Sequence, residues 1–306
     1  MEISPKLADD KTKLIQYFQS RGDESLQEVT QQYAVSESQA RAASLNKAVT
    51  ATRDTLISSI IQQAKKENWP TESLLRTILM TTYASYISMI DLRNSVWEYE
   101  YMAFSRRIGE LWEPFCKLCF EYPIKDLTLF VPPLFSDVKQ TMTREIETYI
   151  DTLNITAEQK AELKKYYSKA WTLVTSGEIK LELDLHFSDD KYRYNVDFKS
   201  GFSSNEKGNT NRLLLVATIY ANLELNYKCL LLVRSPEDQN NHYFQTLKNS
   251  GIWSAYCGDE TYTQIKQFTG FDLKSWITKN IDWKNDLSKA TLSHLNKNDL
   301  FKYLIW

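Results

Sequence analysis

The chain has 306 residues, and its 37 basic and 39 acidic side chains give a formal net charge of −2, which excludes a strongly basic nucleic-acid coat. Apolar residues make up 42% of it, as in ordinary globular proteins, but no apolar run approaches the roughly 18 residues of a membrane span. Residues 1–10 contain no apolar signal region, so the four cysteines are expected to be reduced thiols in a cytoplasm.

The first part of the chain has the apolar spacing of helices, as in Leu56, Ile57, Ile60, Ile61 and Ala64. Prolines at positions 70, 132 and 133 interrupt this pattern. Helices are therefore predicted at residues 6–20, 36–67, 71–94, 103–120, 136–153 and 157–176.

Residues 26–43 have the spacing of a helix-turn-helix, with a turn at residues 33–36 and with Gln39 and Arg41 on the second helix. Helical hairpins with this spacing also occur as packing elements in bundles. The segment is therefore either a DNA-reading motif or a packing hairpin.

Beyond Gly177 the period changes from 3.6 to 2, and residues 179–187 and 192–202 alternate between apolar and polar. The polar turn between these runs predicts an antiparallel hairpin. A loop at residues 203–209 and a helix at 210–223, capped by Asn209 or Thr210, are expected next. Residues 227–234 predict a strand buried on both faces, followed by a helix at 242–249, a strand at 252–257 and C-terminal helices. The predicted fold class is an α/β (α+β) core on a large helical N-terminal region.

Alternation assigns the faces of the predicted hairpin. Leu181, Leu183, Leu185 and Phe187 share one face. The opposite face would gather Glu182, Asp184, Asp197 and Lys199. Carboxylates so close together repel one another unless a divalent cation lies between them, and a neighbouring lysine suits a phosphate. The alternative is a plain solvated face of an antiparallel sheet.

Asp184, followed by Asp197-Phe198-Lys199 and then by a helix and a buried strand, resembles the PD-(D/E)xK nuclease superfamily, and type II restriction endonucleases in particular. The resemblance covers about residues 103–270. It implies a core built on a mixed sheet. Along the chain, this core has a helix, three strands that begin the sheet in antiparallel order, a second helix and a further strand. It also implies that Asp184 and Asp197 are the two acids, that Lys199 is the lysine, and that both acids and the Phe198 carbonyl hold Mg²⁺.

Two features of the motif stay open. Leu183 stands where the motif has proline, which leaves Glu182 as a competing metal ligand. The family often has a glutamate on its first core helix, and here either Glu110 or Glu113 matches, with Glu113 preferred.

The resemblance implies a Mg²⁺-dependent, sequence-specific endonuclease of the bacterial cytoplasm that cuts double-stranded DNA to 5′-phosphate and 3′-hydroxyl ends. A homodimer is expected, with no membrane partner and no small-molecule cofactor. Residues 1–100 would form a helical dimerisation and DNA-clamp region, and residues 101–306 the nuclease core with a helical insertion at about 124–177. The alternatives are a structure-specific repair or recombination nuclease and a non-catalytic nucleic-acid-binding protein on the same fold.

The polar stretch after the lysine is the candidate DNA contact, although a plain surface loop has the same composition. Its candidate residues are Ser203, Ser204, Asn205, Lys207, Asn209, Asn211 and Arg212.

Cys116 and Cys119 have CxxC spacing without a second pair, which favours buried helix cysteines over a zinc site. His186 either borders the carboxylate patch or faces solvent at a strand end.

Overall fold

The computed structural model describes residues 2–174, 179–203, 206–223 and 225–306 of the chain. Within these ranges the structure contains twelve α-helices, three short 3₁₀ helices and a five-stranded mixed sheet. The helices are α1 Lys11–Gln32, α2 Ser38–Glu67, α3 Thr71–Val96, α4 Tyr101–Glu121, α5 Phe135–Thr152, α6 Ala157–Val174, α7 Lys207–Ala221, α8 His242–Lys248, α9 Asp259–Thr269, α10 Leu273–Asn280, α11 Trp283–Asp286 and α12 Lys289–Lys297. The strands are β1 Thr128–Leu129, β2 Leu185–Ser188, β3 Arg193–Lys199, β4 Tyr227–Val233 and β5 Trp253–Cys257.

The sheet runs in the order β1-β2-β3-β4-β5. The first three strands are antiparallel neighbours, whereas β3, β4 and β5 are parallel and are joined through α7 and α8. Both faces of β4 are covered. Leu230 and Leu232 pack into the same cluster as α4 and α9, and Leu231 packs into the cluster of α7 and α8. The predicted elements at residues 227–234, 242–249 and 252–257 are confirmed as β4, α8 and β5.

The helical first part of the chain is organised around α3, in which every residue from Thr77 to Ile90 is buried. Helix α1 continues to Gln32, beyond its predicted end near residue 20. Gly22 packs against α3 within this helix, and a Cβ there would lie 2.6 Å from Leu92 Cδ1, so a larger residue would require the Leu92 side chain to move.

Helices α1 and α2 form a packing hairpin at the position of the possible helix-turn-helix. Arg41, one of the two residues considered for DNA contact, has only 8% of its surface exposed. Its guanidinium is therefore held in the bundle, and Gln39 is the exposed member of the pair.

The predicted hairpin differs from the observed one on its first strand. The chain bends at Asp184, so β2 begins only at Leu185. Leu181 and Leu183 consequently join the cluster of α7, whereas Leu185 and Phe187 join the cluster of α4 on the opposite face. The prediction that these four side chains share one face is wrong, because strict alternation does not continue through a bend.

Helix α7 begins at Lys207, three residues before the predicted start. Neither Asn209 nor Thr210 is the N-cap, which is Glu206 and has no side-chain capping bond.

The predicted α/β class is confirmed in its general form, a mixed α/β protein with a large helical part. The helical layer and one face of the sheet share a single hydrophobic cluster, running from Leu14 of α1 to Leu232 of β4. Among the described helices, none is both long enough and apolar enough to cross a bilayer.

Gly270 ends α9 in the left-handed region, with a φ of +81°. A Cβ there would also lie 3.2 Å from Ile124 Cβ. We expect Gly270→Ala to lower the free energy of unfolding by about 1–2 kcal/mol, because alanine is strained at positive φ. Gly208→Ala in α7, where a Cβ meets nothing within 4 Å, is the control and should raise stability by up to about 1 kcal/mol. Urea unfolding of both variants checks the prediction, and equal effects of the two changes would contradict it.

Candidate functional site

Asp197 is a buried carboxylate near the carboxyl end of β3, with 1% of its surface exposed. Its Oδ1 lies 3.5 Å from Arg212 Nη2 of α7, and its Oδ2 lies 3.4 Å from Lys199 Nζ. Oδ2 is shielded from solvent but has no hydrogen-bond partner of good geometry among the described residues. The two cations offset the burial of an ionised carboxylate, but at 3.4 and 3.5 Å neither makes a short hydrogen bond to it.

Burial raises the pKa of Asp197 to about 6. Lys199 and Arg212 act in the opposite direction, since a nearby cation favours the ionised carboxylate. The neighbouring Asp184 raises the pKa further. The two predicted acids are therefore close enough to interact electrostatically, and Asp197 ionises only near neutral pH.

Asp184 lies at the bend and is half-buried. Its Oδ2 accepts a hydrogen bond from the Phe198 N–H at 2.7 Å. The last pair of the β2–β3 ladder is Leu185–Val196, so this N–H lies beyond the end of β2. The Asp184 carboxylate thus accepts the hydrogen bond that a backbone carbonyl of a neighbouring strand would otherwise accept. The bend directs this carboxylate toward the end of β3.

Phe198 contributes through its backbone, because its ring packs on the other face of the sheet, 5.8 Å from the Trp112 ring of α4. Lys199 has 25% of its side chain exposed, and Arg212 has 38%. Both cations therefore reach from the buried carboxylate to solvent. We call Asp184, Asp197, Phe198, Lys199 and Arg212 the β3-end cluster. The sequence predicted that Asp184, Asp197 and Lys199 lie together, whereas it offered Arg212 only as a DNA contact.

Glu182 does not join the β3-end cluster in this structure. It precedes the bend, has 62% of its side chain exposed and lies 3.3 Å from Lys180 Nζ in an ion pair. Its predicted position on the Asp184 face depended on the unbroken alternation that the bend removes.

The two glutamates of α4 face different surroundings. A Cβ at Gly109 would lie 2.9 Å from Ser200 Cβ, so this face of α4 abuts the chain just after Lys199. Glu113 is one turn further along the same face, and its Oε1 lies 2.6 Å from Lys117 Nζ. Glu110 instead pairs with Arg106 and Arg107 on the exposed side. The arrangement favours Glu113 over Glu110 as the glutamate nearer the end of β3.

The candidate DNA-contacting residues cluster at the beginning of α7. Ser203, Lys207 and Asn211 are exposed, while Asn209 and Arg212 are half-buried. Asn209 Nδ2 donates to Glu206 Oε2 at 3.2 Å. Ser204 and Asn205 lie outside the described residues. Because α7 follows β3 directly, its N-terminal turn lies beside the β3-end cluster.

His186 is buried, so the solvent-facing alternative for this residue is wrong. It is 6% exposed and faces the α7 layer instead of solvent. Its Nδ1 lies 2.8 Å from Asn195 Oδ1, and its Nε2 accepts from the Leu183 N–H at 2.9 Å. Burial lowers the pKa of His186, which favours the neutral imidazole. No sequence signal separates such a histidine from a solvent-facing one once the bend is missed.

Arg234 was not singled out from the sequence, although an arginine that ends a buried apolar strand is a usable signal. Its Nη2 donates to Ser200 Oγ at 2.7 Å. Its Nη1 donates to the carbonyls of Tyr303 and Ile305, each at 3.1 Å. Arg234 thereby joins the chain that follows Lys199 to the C-terminal segment.

The donor set around Asp197 fits a hard cation such as Mg²⁺. In the described part of the chain, no three His, Cys, Asp and Glu side chains gather closely enough to hold a metal ion on their own. Mg²⁺, however, is usually bound through one or two carboxylates and keeps several waters. Asp184 and Asp197 provide two such carboxylates. Cys116 and Cys119 are buried in α4, and burial raises the pKa of both thiols, so they suit packing.

Comparison of this chain with protein-family models, with curated proteins and with solved structures found no match.

We expect Asp197→Asn to raise the free energy of unfolding at pH 8 in the absence of divalent cations. The folded-state pKa of about 6 exceeds the ordinary value of 3.8, which corresponds to about 3 kcal/mol as an upper limit. The folded protein binds the extra proton between these values, so the parent loses stability as pH rises through that window. The gain from asparagine should therefore shrink as pH falls from 6 toward 4, as measured by urea unfolding.

Asp189→Asn is the control of opposite sign. Partial burial acts to raise the pKa of Asp189, but hydrogen bonds from Lys191, Tyr192 and Tyr194 together lower it. Its carboxylate therefore stabilises the fold, and removing the charge should lower stability at pH 8. A loss of stability in Asp197→Asn at that pH would contradict our interpretation of the site.

Proposed function

We propose that this protein is a Mg²⁺-dependent endonuclease that hydrolyses double-stranded DNA at specific sequences, of the type II restriction class. The proposal rests chiefly on one observation, the buried Asp197 carboxylate beside Asp184 at the end of β3, whose Oδ2 faces the Lys199 ammonium at 3.4 Å without a well-formed hydrogen bond. A purely structural ion pair would be expected to hydrogen-bond both buried carboxylate oxygens, because a buried oxygen without a hydrogen bond lowers stability by about 1–3 kcal/mol.

The order of elements supports the same proposal. Helix α4 is followed by β1, then by the helices α5 and α6, then by β2, β3, α7 and β4, and the first three strands are antiparallel neighbours. With α5 and α6 taken as the expected helical insertion, this is the order that the resemblance to PD-(D/E)xK nucleases implies. The acids also have suitable positions, with Asp184 at the bend before β2 and Asp197 two residues before Lys199 on the central strand.

In the proposed enzyme, Asp184, Asp197 and the Phe198 carbonyl would hold the Mg²⁺. The bound ion supplies polarisation of the scissile phosphate and an acidified water. Lys199 would orient the attacking water through an N–H of its ammonium, which is tied to Asp197 at one side and open to solvent at the other. To deprotonate that water it would first have to give up a proton to solvent, because only the neutral amine can accept one. Arg212 is placed to donate to a phosphate oxygen from the first turns of α7.

Double-stranded DNA is the proposed substrate because the exposed donors at the start of α7 lie beside the β3-end cluster. Lys207 and Asn211 are suited to phosphates, and the N-terminus of α7 adds a positive dipole end. Cutting both strands of a palindromic site would require two copies of the chain, so we propose a homodimer. The bacterial cytoplasm is the proposed compartment, as for restriction enzymes in general.

Two alternatives use the same fold. A structure-specific repair or recombination nuclease would share the β3-end cluster but would cut without sequence preference. A non-catalytic nucleic-acid-binding protein would have no chemical need for Asp184, Asp197 and Lys199 in one cluster. The products of a DNA cleavage assay separate all three functions.

We expect purified protein with Mg²⁺ to cut a large phage or plasmid DNA into discrete fragments. EDTA should abolish cleavage, and Lys199→Ala should reduce its rate by about 10²- to 10⁴-fold, because a positioned proton-transfer group contributes that much. Lys117→Ala, which removes a lysine that pairs with Glu113 on α4, is the matched control and should retain more activity than Lys199→Ala.

The pattern of products identifies the function. Discrete fragments support a restriction enzyme, and a metal-dependent smear supports the repair nuclease. DNA binding without cleavage, equal in the parent and in Lys199→Ala, would reject the catalytic assignment.

Lys207 tests the proposed DNA surface separately from catalysis. With Ca²⁺ in place of Mg²⁺ to suppress cleavage, Lys207→Ala should reduce the slope of log affinity against log salt by about 1, the effect of one lost phosphate contact. Lys191→Ala is the control, because this exposed lysine lies in the turn before β3, at the other end of the strand. Equal slopes for the two variants would place the DNA elsewhere.

A further inference from the structure

His186 is a buried histidine to which the proposed chemistry gives no role. It lies on the α7 face of β2, directly across from Asn195 of β3 and two residues after Asp184. Both of its ring nitrogens are already engaged. Nε2 accepts from the Leu183 N–H at 2.9 Å, and Nδ1 lies 2.8 Å from Asn195 Oδ1. His186 therefore has no free nitrogen for a metal ion.

These contacts also fix the tautomer of the ring. A backbone N–H can only donate, so Nε2 must present a lone pair to Leu183. The proton of the neutral ring is then on Nδ1, which donates to the Asn195 carbonyl oxygen. Asn195 thus orients the imidazole so that Nε2 faces the bend. In metal sites, a hydrogen bond to one ring nitrogen of a histidine fixes the direction of the other nitrogen in the same way.

The bond to Leu183 acts at the point where the chain leaves the sheet. Leu183 precedes Asp184 and lies outside β2, so its buried N–H has no strand partner. His186 supplies the acceptor. Tyr220 of α7 donates to the Leu181 carbonyl at 3.0 Å, so two side chains on the same face fix residues 181–183. The position of the next residue, Asp184, follows from this anchoring.

We propose that His186 is a positioning residue that holds the bend at Leu183 and thereby places the Asp184 carboxylate for metal binding. This inference rests on the proposed function in so far as Asp184 is a metal ligand. The positioning itself is a statement about geometry and has its own test.

Three substitutions separate the two bonds of the ring. In His186→Gln the side-chain amide carbonyl would reach the place of Nε2 and keep the bond to Leu183, whereas His186→Asn would keep only a group at the place of Nδ1. We expect His186→Asn and His186→Ala to raise the Mg²⁺ concentration for half-maximal cleavage by about 10- to 100-fold. His186→Gln should stay within about threefold of the parent.

Tyr83→Phe is the control for a general loss of stability. It removes a buried hydroxyl that donates to Asp286 Oδ2 at 2.7 Å in the helical layer, away from β3. This variant should lower the melting temperature without changing the Mg²⁺ requirement. If His186→Ala behaved in the same way, the role of His186 would be structural only and the proposal would be overturned.

Amide hydrogen exchange at Phe198 tests the positioning without any catalysis. The Phe198 N–H is held by Asp184, so its exchange should be faster in His186→Asn and His186→Ala and near the parent rate in His186→Gln. Exchange at the parent rate in all three variants would overturn the proposal. If the parent fails to cut DNA but Phe198 exchange responds as expected, the proposed function fails and the positioning stands.

Discussion

The burial of one charge on the central strand determines how the site is built. β3 has a hydrogen-bonded neighbour on each side and a hydrophobic layer on each face, so Asp197 is removed from water. Moving a carboxylate into such a place disfavours folding by several kcal/mol unless other groups compensate. Two cations, Lys199 and Arg212, come from β3 itself and from the helix that follows it. The compensation is incomplete, as the raised pKa of Asp197 indicates.

The opposite face of the sheet holds the site in place. Phe198 packs between Trp112 and Phe120 of α4, within a cluster that continues into the helical layer. Gly109 brings α4 against Ser200, and Arg234 ties Ser200 to the C-terminal segment. The residues at the end of β3 are therefore fixed by three separate parts of the chain. A catalytic group needs this kind of support, because small displacements of a reacting group have large effects on rate.

Much of the core was predictable because its strands carry strong local signals. The apolar run of residues 227–234 predicted the buried strand β4, and the alternation of β3 placed Asp197 and Lys199 on one face, where they form an ion pair. The faces before Asp184 were not predictable, since Leu181 and Leu183 continue the same alternation through a bend that tertiary contacts with Tyr220 and His186 stabilise. The predicted end of the first helix near residue 20 was also wrong, since α1 continues through Gly22, which packs against Leu92 of α3. Local sequence predicts periodicity well, but it does not contain the long-range contacts that interrupt a period.

In the proposed enzyme, the charges of the β3-end cluster would couple the binding of Mg²⁺ to the binding of DNA. With both carboxylates ionised, Asp184 and Asp197 contribute two negative charges, and Lys199 and Arg212 contribute two positive ones. A divalent cation added to a balanced set leaves an excess of positive charge in a partly buried place, which is unfavourable without an anion. A phosphodiester supplies that anion at the solvent-facing side of the two cations. In the proposed enzyme, metal and DNA therefore favour each other's binding.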